Sequence, residues 1–189
     1  MNNTKSIYYP PGGILIWIII YLELITFGMA ILALAYYGSE ERELFHSSSL
    51  KLNKTIGTIN TILLLTSGFF VAKGIHFFKA ANIKKTLFYF NYAMVGGLGF
   101  LVLKSFEYYE KLEAGLHMDY NSFFRFYWLL TGFHFIHVLV GLVILLVITF
   151  SIKKKQTEAS FEDIEASASF WHMCDLIWLL LFPVLYLLF

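Results

Sequence analysis

Five apolar runs of about 20 residues or more constrain the fold of this chain more than any other feature. They cover residues 13–37, 55–78, 86–103, 124–152 and 167–189. Each run is long enough for a helix to cross about 30 Å of hydrocarbon, and none shows the period of two that is typical of strands. Only 14% of the residues are charged, against roughly a quarter in soluble domains. We therefore predict an all-α integral membrane bundle of five transmembrane helices.

The remaining segments are polar connectors, and the longest ones lie at 38–54 and 153–165. Because no internal repeat or change of composition divides the chain, residues 1–189 are predicted to form a single transmembrane domain. The single cysteine, Cys174, excludes an internal disulfide, a CxxC metal site and a CxxCH haem attachment.

Basic residues divide eight to six between the two ends of the predicted helices. The first group lies in tight loops near helix ends: Lys5, Lys73, Lys79, Lys84, Lys85, Lys153, Lys154 and Lys155. The second group is Arg42, Lys51, Lys54, Lys104, Lys111 and Arg125. Basic residues close to helix ends favour the cytoplasmic side. The N-terminus is therefore predicted inside and the C-terminus outside.

Ionisable groups inside the predicted spans are the candidate functional residues, since such groups are costly in a membrane. His172 and Asp175 are three residues apart, on one helix face. Span lengths place Glu23, His137 and Asp175 at a similar depth. A carboxylate that meets no cation or hydrogen-bond donor there is expected to be protonated. Glu23 and Asp175 are thus candidate proton-related carboxylates.

Thr131, His134, His137 and His172 are predicted to form a polar network between helices, and Gly132 and Gly141 to let a neighbouring helix approach closely. One interpretation is a carboxylate–histidine network that carries protons. The other, favoured for the histidines and Asp175, is a set of hydrogen bonds that holds the bundle together. For Glu23 the two interpretations weigh equally.

Metal binding is disfavoured, because His134 and His137 have no clear third ligand apart from His172 or a carboxylate. No metal or catalytic residue is predicted. Five residues near span ends or in aromatic positions are predicted as membrane-interface anchors: Lys73, His76, Glu107, Trp171 and Trp178. Lys104 and Glu107 have the spacing of a local ion pair.

The chain resembles subunit III of the haem-copper oxidases over about nine-tenths of its length. Two motifs, about thirty residues apart, are the most specific: TGFHFIHVLVG at 131–141 and WHMCDLIW at 171–178. Weaker matches are YLELITFG at 21–28, NT and LLTSG within 60–68, and FEY at 106–108. The mitochondrial form has seven helices, whereas five-helix forms resemble bacterial quinol oxidase subunits and the nitric oxide reductase-associated protein. The ending LFPVLY looks closer to the last of these.

The resemblance implies a non-catalytic subunit that binds no haem or copper itself. Such a subunit packs beside a catalytic subunit that carries haem and copper or iron, steadies it, and supports proton uptake in respiratory electron transport. Glu23 matches the family's buried carboxylate, which reacts with hydrophobic carbodiimides and lies near phospholipid, so phospholipid stays open as a ligand. The expected location is a bacterial inner membrane.

A function from another class competes with this one, namely a self-sufficient proton-coupled transporter or channel built on Glu23, His134, His137 and Asp175. Such proteins usually show internal repeats or helices broken near the midplane. This chain shows no repeat, and Pro183 is the one proline inside a predicted span. The accessory subunit is therefore the preferred interpretation.

Overall fold

The computed structural model describes residues 10–154 and 160–189, and these residues are helical almost throughout, without a strand. The helices are α1 (Ile14–Glu40), α2 (Arg42–Ser49), α3 (Lys54–Lys79), α4 (Ile83–Glu113), α5 (Ser122–Lys153) and α6 (Phe161–Tyr186). All except the short α2 are long and apolar enough to cross a membrane. The prediction of an all-α bundle with five membrane-spanning helices is confirmed.

Polar residues in the connectors fix the beginnings of four helices. Asn53, Asn82 and Asn121 each accept backbone N–H groups from the first turn of α3, α4 and α5. Ser160 and Asp163 form a reciprocal capping box at the start of α6. These side chains satisfy N–H groups that have no partner within the helix.

Two helix bounds differ from the predicted spans by more than three residues, and one connector contains a helix that was not predicted. The third span was predicted to end at 103, but α4 continues to Glu113, because its charged residues find partners inside the protein. The fifth was predicted at 167–189, but α6 begins at Phe161, after the capping box, and ends at Tyr186. The connector at 38–54 contains the helix α2.

Four helices form the centre of the bundle, and α1 lies outside them. Helix α3 packs against α4 and α6, and α5 also packs against α4 and α6. Helix α1 contacts α5 and α6, and the residues that it buries are Ile20, Phe27, Leu34 and Gly38. The rest of its surface is largely apolar and faces away from the protein.

Different contacts hold the helices together at the two ends of the bundle. At the lysine-rich end, which carries Lys79, Lys84, Lys85, Lys153 and Lys154, Lys79 pairs with Glu165 at 3.5 Å. At the opposite end, α2 packs on α5, and Asn121 donates to the Ser48 hydroxyl at 2.8 Å. Lys5 and Lys155, on which the predicted orientation partly depends, lie outside the described residues. The orientation stays a prediction.

Glycines allow the indole ring of Trp171 to fit between α4 and α5. A Cβ at Gly97 would overlap Trp171 and lie 2.8 Å from Leu142, and one at Gly141 would lie 3.0 Å from Trp171 Cε3. Gly141 therefore allows the close approach that its sequence context predicts. The same prediction is wrong for Gly132, whose added Cβ would meet nothing within 4 Å.

Candidate functional site

Polar side chains near the middle of the helices form the candidate site, which we call the middle layer: Glu23, His137, His172 and Asp175. Glu23 Oε2 lies 3.3 Å from His137 Nε2, so the pair joins α1 to α5. His137 Nδ1 lies 2.9 Å from the carbonyl oxygen of Phe133. Since a carbonyl only accepts, Nδ1 must carry a proton. The other ring nitrogen, Nε2, is the one that faces the Glu23 carboxyl group.

Glu23, for which two interpretations weigh equally from sequence, has a histidine partner on another helix. The depth estimate that placed Glu23 level with His137 agrees with the 3.3 Å distance between them. Both side chains are partly accessible, at 22% for Glu23 and 11% for His137. The pair therefore lies at the edge of the contact between α1 and α5 and not in the fully buried core.

His172 and Asp175 form the second pair of the middle layer. His172 Nδ1 lies 3.4 Å from Asp175 Oδ2, and both residues belong to α6. The Asp175 carboxylate is 9% exposed and its Oδ1 has no hydrogen-bond partner, whereas the His172 side chain is 44% exposed. Asp175 thus faces the protein interior, and His172 faces outward.

His134 is fully buried, and neither of its ring nitrogens has a hydrogen-bond partner. Its ring stacks on Trp178 with centroids 5.3 Å apart, and meets the edges of Phe100 at 5.7 Å and Phe27 at 6.4 Å. We call Phe27, Phe100, His134 and Trp178 the aromatic layer. It holds an imidazole by ring contacts alone.

The predicted network of Thr131, His134, His137 and His172 is therefore not continuous. Thr131 donates to the Tyr127 carbonyl of its own helix at 2.6 Å. His137 reaches Glu23, His172 reaches Asp175, and His134 reaches only rings. These residues lie on α-helices as predicted, but their spacing along the helix does not determine which neighbouring helix supplies a partner.

A second polar group lies toward the end of the bundle that is opposite the lysine-rich end. We call it the lysine cluster, and it consists of Lys104, Glu107, Tyr127 and Tyr186. Lys104 Nζ donates to Glu107 at 3.0 Å, to the Tyr127 hydroxyl at 3.2 Å and to the Tyr186 hydroxyl at 2.8 Å. Both phenols in turn donate to Glu107 Oε1, at 3.0 Å from Tyr127 and 2.6 Å from Tyr186. Side chains of α4, α5 and α6 thus form a closed, buried network.

Sequence reasoning found the Lys104–Glu107 pair but missed the two tyrosines. The spacing of three residues predicts the ion pair, whose 3.0 Å distance confirms it. Tyr127 and Tyr186 lie far from it in sequence, so no local pattern could indicate them. The phenols are what allow two charged residues to lie in the interior.

Three of the five predicted interface anchors are interior residues instead. Glu107 and Trp171 are completely buried, and Trp178 is 1% exposed. Glu107 is held by the lysine cluster, and Trp178 Nε1 donates to the Thr61 hydroxyl at 2.9 Å. Trp171 packs against Gly97 and Gly141, as described above. Lys73 and His76 are exposed on α3 near the lysine-rich end, as an anchoring role requires.

The middle layer and its surroundings offer no set of metal ligands within the part of the chain that the structure describes. No three His, Cys, Asp or Glu residues there lie close enough together to hold a metal ion. His134 and His137 belong to one helix but turn to different surroundings, the first to rings and the second to Glu23.

Comparison with known proteins gives a consistent result. Residues 51–188 match the family described as Cytochrome c oxidase subunit III. The chain is 33% identical to Cytochrome c oxidase subunit 3 of Rhipicephalus sanguineus over 132 residues, which are 69% of this chain and 50% of that protein. It is 27% identical to Cytochrome bo(3) ubiquinol oxidase subunit 3 of Buchnera aphidicola over 194 residues, covering 99% and 88%.

A third relative is Heme-copper oxidase subunit I+III of Aeropyrum pernix, at 29% identity over 179 residues, which are 90% of this chain and 22% of that protein. The chain spans about half the length of the cytochrome c oxidase relatives that it matches. The matched region takes in α3 to α6 and with them most of the middle layer and the whole lysine cluster. The chain belongs to the cytochrome c oxidase subunit III family.

Proposed function

We propose that this chain is a non-catalytic accessory subunit of a respiratory haem-copper oxidoreductase, such as a terminal oxidase or a nitric oxide reductase. The family match over α3 to α6 is the observation that carries the proposal. The near full-length alignment with a ubiquinol oxidase subunit 3 supports it. Haem, with copper or iron, belongs to the partner catalytic subunit, and phospholipid stays a possible further ligand of this chain.

The partner is a catalytic subunit in the same membrane. The relative named Heme-copper oxidase subunit I+III supports this, because its name joins subunit III to subunit I in one protein. The buried polar groups of this chain suit a rigid support. The lysine cluster ties three helices through five hydrogen bonds without exposing a charge. A support that keeps its own shape can steady the catalytic subunit without taking part in the reaction.

The Glu23–His137 pair supports a role in proton uptake. Because Nδ1 of His137 donates to the Phe133 carbonyl, Nε2 is left to exchange a proton with the Glu23 carboxyl group, 3.3 Å away. Both side chains remain partly accessible. A proton that passes from one group to the other leaves the net charge of the pair unchanged. Asp175, packed against α3, has instead the surroundings of a structural residue.

The chain has the features of a multi-pass membrane protein, with five helices long enough to span the bilayer. We place the lysine-rich end on the cytoplasmic side of a bacterial inner membrane, because basic residues near helix ends favour that side. The likeness of LFPVLY to the nitric oxide reductase-associated branch stays a prediction, and the relatives named above are oxidase subunits.

The competing transporter function has no support from these relatives. The site also disfavours it, since the aromatic layer interrupts the polar groups on which it was built. His134 contacts rings and no hydrogen-bond partner, so it does not connect the pair at Glu23 to the lysine cluster.

The test is purification of the tagged chain from its native membrane in mild detergent, followed by visible spectroscopy and mass spectrometry. A co-purifying haem protein establishes the accessory role, and its turnover with dioxygen or nitric oxide identifies the reaction of the complex. A colourless chain without a partner, which moves protons in vesicles by itself, would instead establish a transporter.

A further inference from the structure

His172 is an ionisable side chain exposed at the middle of a membrane-spanning helix. Its 44% exposure is unusual there, because ionisable groups inside spans normally face the protein interior or water. At about 1.5 Å per residue, it lies roughly 10 Å deeper than Glu165. Glu165 pairs with Lys79 at the lysine-rich end. The exposed imidazole is therefore well inside the hydrocarbon.

One ring nitrogen of His172 lacks a partner within the described chain. Nδ1 faces Asp175 Oδ2 at 3.4 Å, which leaves Nε2 to point outward. Lipid tails offer no hydrogen-bonding group, and an unsatisfied polar group in lipid is costly. A lysine can extend its ammonium group to the membrane surface, but an imidazole on a single methylene group cannot. The outward nitrogen thus requires a partner from another molecule.

The neighbouring surface of α3 is also basic. Gly68 faces α6, since a Cβ there would lie 3.4 Å from His172 Nδ1. His76 and Lys73 follow Gly68 by eight and five residues on α3 and are both exposed, and the Lys73 ammonium group lies 5.6 Å from the Phe69 ring. We call the exposed surface with Lys73, His76, His172 and Leu176 the α3–α6 face. Asp175 beside it is buried, and Glu165, two turns before His172 on α6, is 16% exposed and pairs with Lys79, so basic side chains predominate on this face.

Part of the exposed surface of α4 has the opposite character. A shallow groove of about 530 Å³ is lined by Leu101, Val102, Ser105, Phe106 and Tyr109. Its hydroxyl groups are satisfied within the helix, since Ser105 donates to the Leu101 carbonyl and Tyr109 to Glu113. This groove can lie against acyl chains without any unpaired polar group.

We propose that the α3–α6 face docks a transmembrane helix of the catalytic subunit, which presents a carboxylate or carbonyl acceptor to His172. The proposal rests on the function proposed above and adds which surface meets the partner. Charge complementarity favours a carboxylate, because the face is basic and its nearest acid is buried. A protein helix supplies an acceptor at this depth, roughly 10 Å below the Lys79–Glu165 pair, where lipid headgroups do not reach.

Photo-crosslinking in the native membrane tests the proposal. A benzophenone amino acid replaces Leu176 on α6 or, as the matched control, Leu98 on α4, whose side chains are 46% and 53% exposed. We expect the haem-bearing subunit to be captured from position 176 and only lipid from position 98. Capture of lipid alone or of a second copy of this chain from position 176 would overturn the proposal.

The same experiment separates this inference from the proposed function. A haem-bearing subunit captured from position 98 and not from position 176 overturns the docking surface but leaves the accessory role standing. A chain that co-purifies with no haem protein overturns both.

A substitution that keeps the fold provides the second test. His172→Leu removes the outward nitrogen, and Ser105→Ala on α4 is the control, because Ser105 is exposed but its hydroxyl donates to its own helix. Helix-to-helix hydrogen bonds in membranes contribute on average about 0.6 kcal/mol, which corresponds to about threefold in binding. We therefore expect His172→Leu to weaken binding of the haem subunit about threefold, with Ser105→Ala unchanged. The reverse order would contradict the docking surface.

Discussion

The carboxylate of Asp175 lies directly against Gly68, where α6 crosses α3. A Cβ at position 68 would overlap Asp175 Oδ2 and would also lie 3.4 Å from His172 Nδ1. The absence of a side chain on one helix therefore makes room for the acid on the other. This contact lies in the middle layer, so it links the packing of the bundle to its ionisable groups.

Gly68→Ala is expected to destabilise the protein, because the new methyl group displaces the buried carboxylate. We expect a loss of roughly 1–3 kcal/mol, the usual cost of overpacking a core. Thermal unfolding of the purified complex in detergent measures it.

Gly28→Ala is the matched control, since a Cβ at Gly28 would meet nothing within 4 Å. Alanine is favoured over glycine in a helix by roughly 0.5–1 kcal/mol, so this variant should be as stable as the parent or slightly more so. Equal destabilisation of both variants would show that the Asp175 contact is not the cause.

Lys104→Met should be among the most damaging single substitutions in the chain. It leaves Glu107 buried without its cation, and breaking a buried ion pair costs about 3–5 kcal/mol. The double variant Lys104→Met with Glu107→Gln removes both charges and should recover much of the loss. The free energies of unfolding of Lys104→Met, Glu107→Gln and the double variant, measured under one set of conditions, test this. A double variant less stable than either single variant would contradict it.

Glu23→Gln should separate stability from proton exchange. The glutamine amide can donate to His137 Nε2, so we expect a change in stability below about 1 kcal/mol. It cannot release a proton, so turnover of the assembled complex should fall at matched levels of assembly. Glu23→Leu, which leaves His137 without its partner, should lower both the stability of the protein and the turnover of the complex. Unchanged turnover in Glu23→Gln would remove this pair from proton uptake.

Asp175→Asn should mainly weaken assembly of the complex, because Asp175 lies in a packed, structural position. The measure is the amount of haem subunit that co-purifies, set against turnover per haem. A variant that assembles at the parental level while turnover collapses would instead make Asp175 part of the proton path.

The long apolar helices could be predicted from sequence because their length and composition are local properties. The third span was cut short at 103 because Lys104 and Glu107 look like residues that leave the membrane. Their partners, Tyr127 and Tyr186, come from two other helices. Whether a charged residue lies inside a membrane segment can therefore be predicted only when the residues that neutralise its charge are known.

The middle layer could be predicted in part for the same reason. Helical spacing placed Glu23 and His137 at one depth, and they lie 3.3 Å apart. It could not tell that His134, three residues from His137, turns into the rings of Phe100 and Trp178. Whether a helix face meets a polar or an aromatic neighbour depends on how the helices pack. The spacing of residues within one helix does not contain that information.

The aromatic layer has an electrical consequence. Along α5 and α6 it lies between the middle layer and the lysine cluster, since His134 separates His137 from Tyr127, and Trp178 separates Asp175 from Tyr186. His134 has no hydrogen-bond partner and Trp178 donates to Thr61 on α3, so this layer offers protons no path along the bundle. The ammonium group of Lys104 donates its three protons to Glu107, Tyr127 and Tyr186. Among the described residues, the polar side chains of the middle layer and those of the lysine cluster are thus electrically separate groups, which no chain of hydrogen bonds joins.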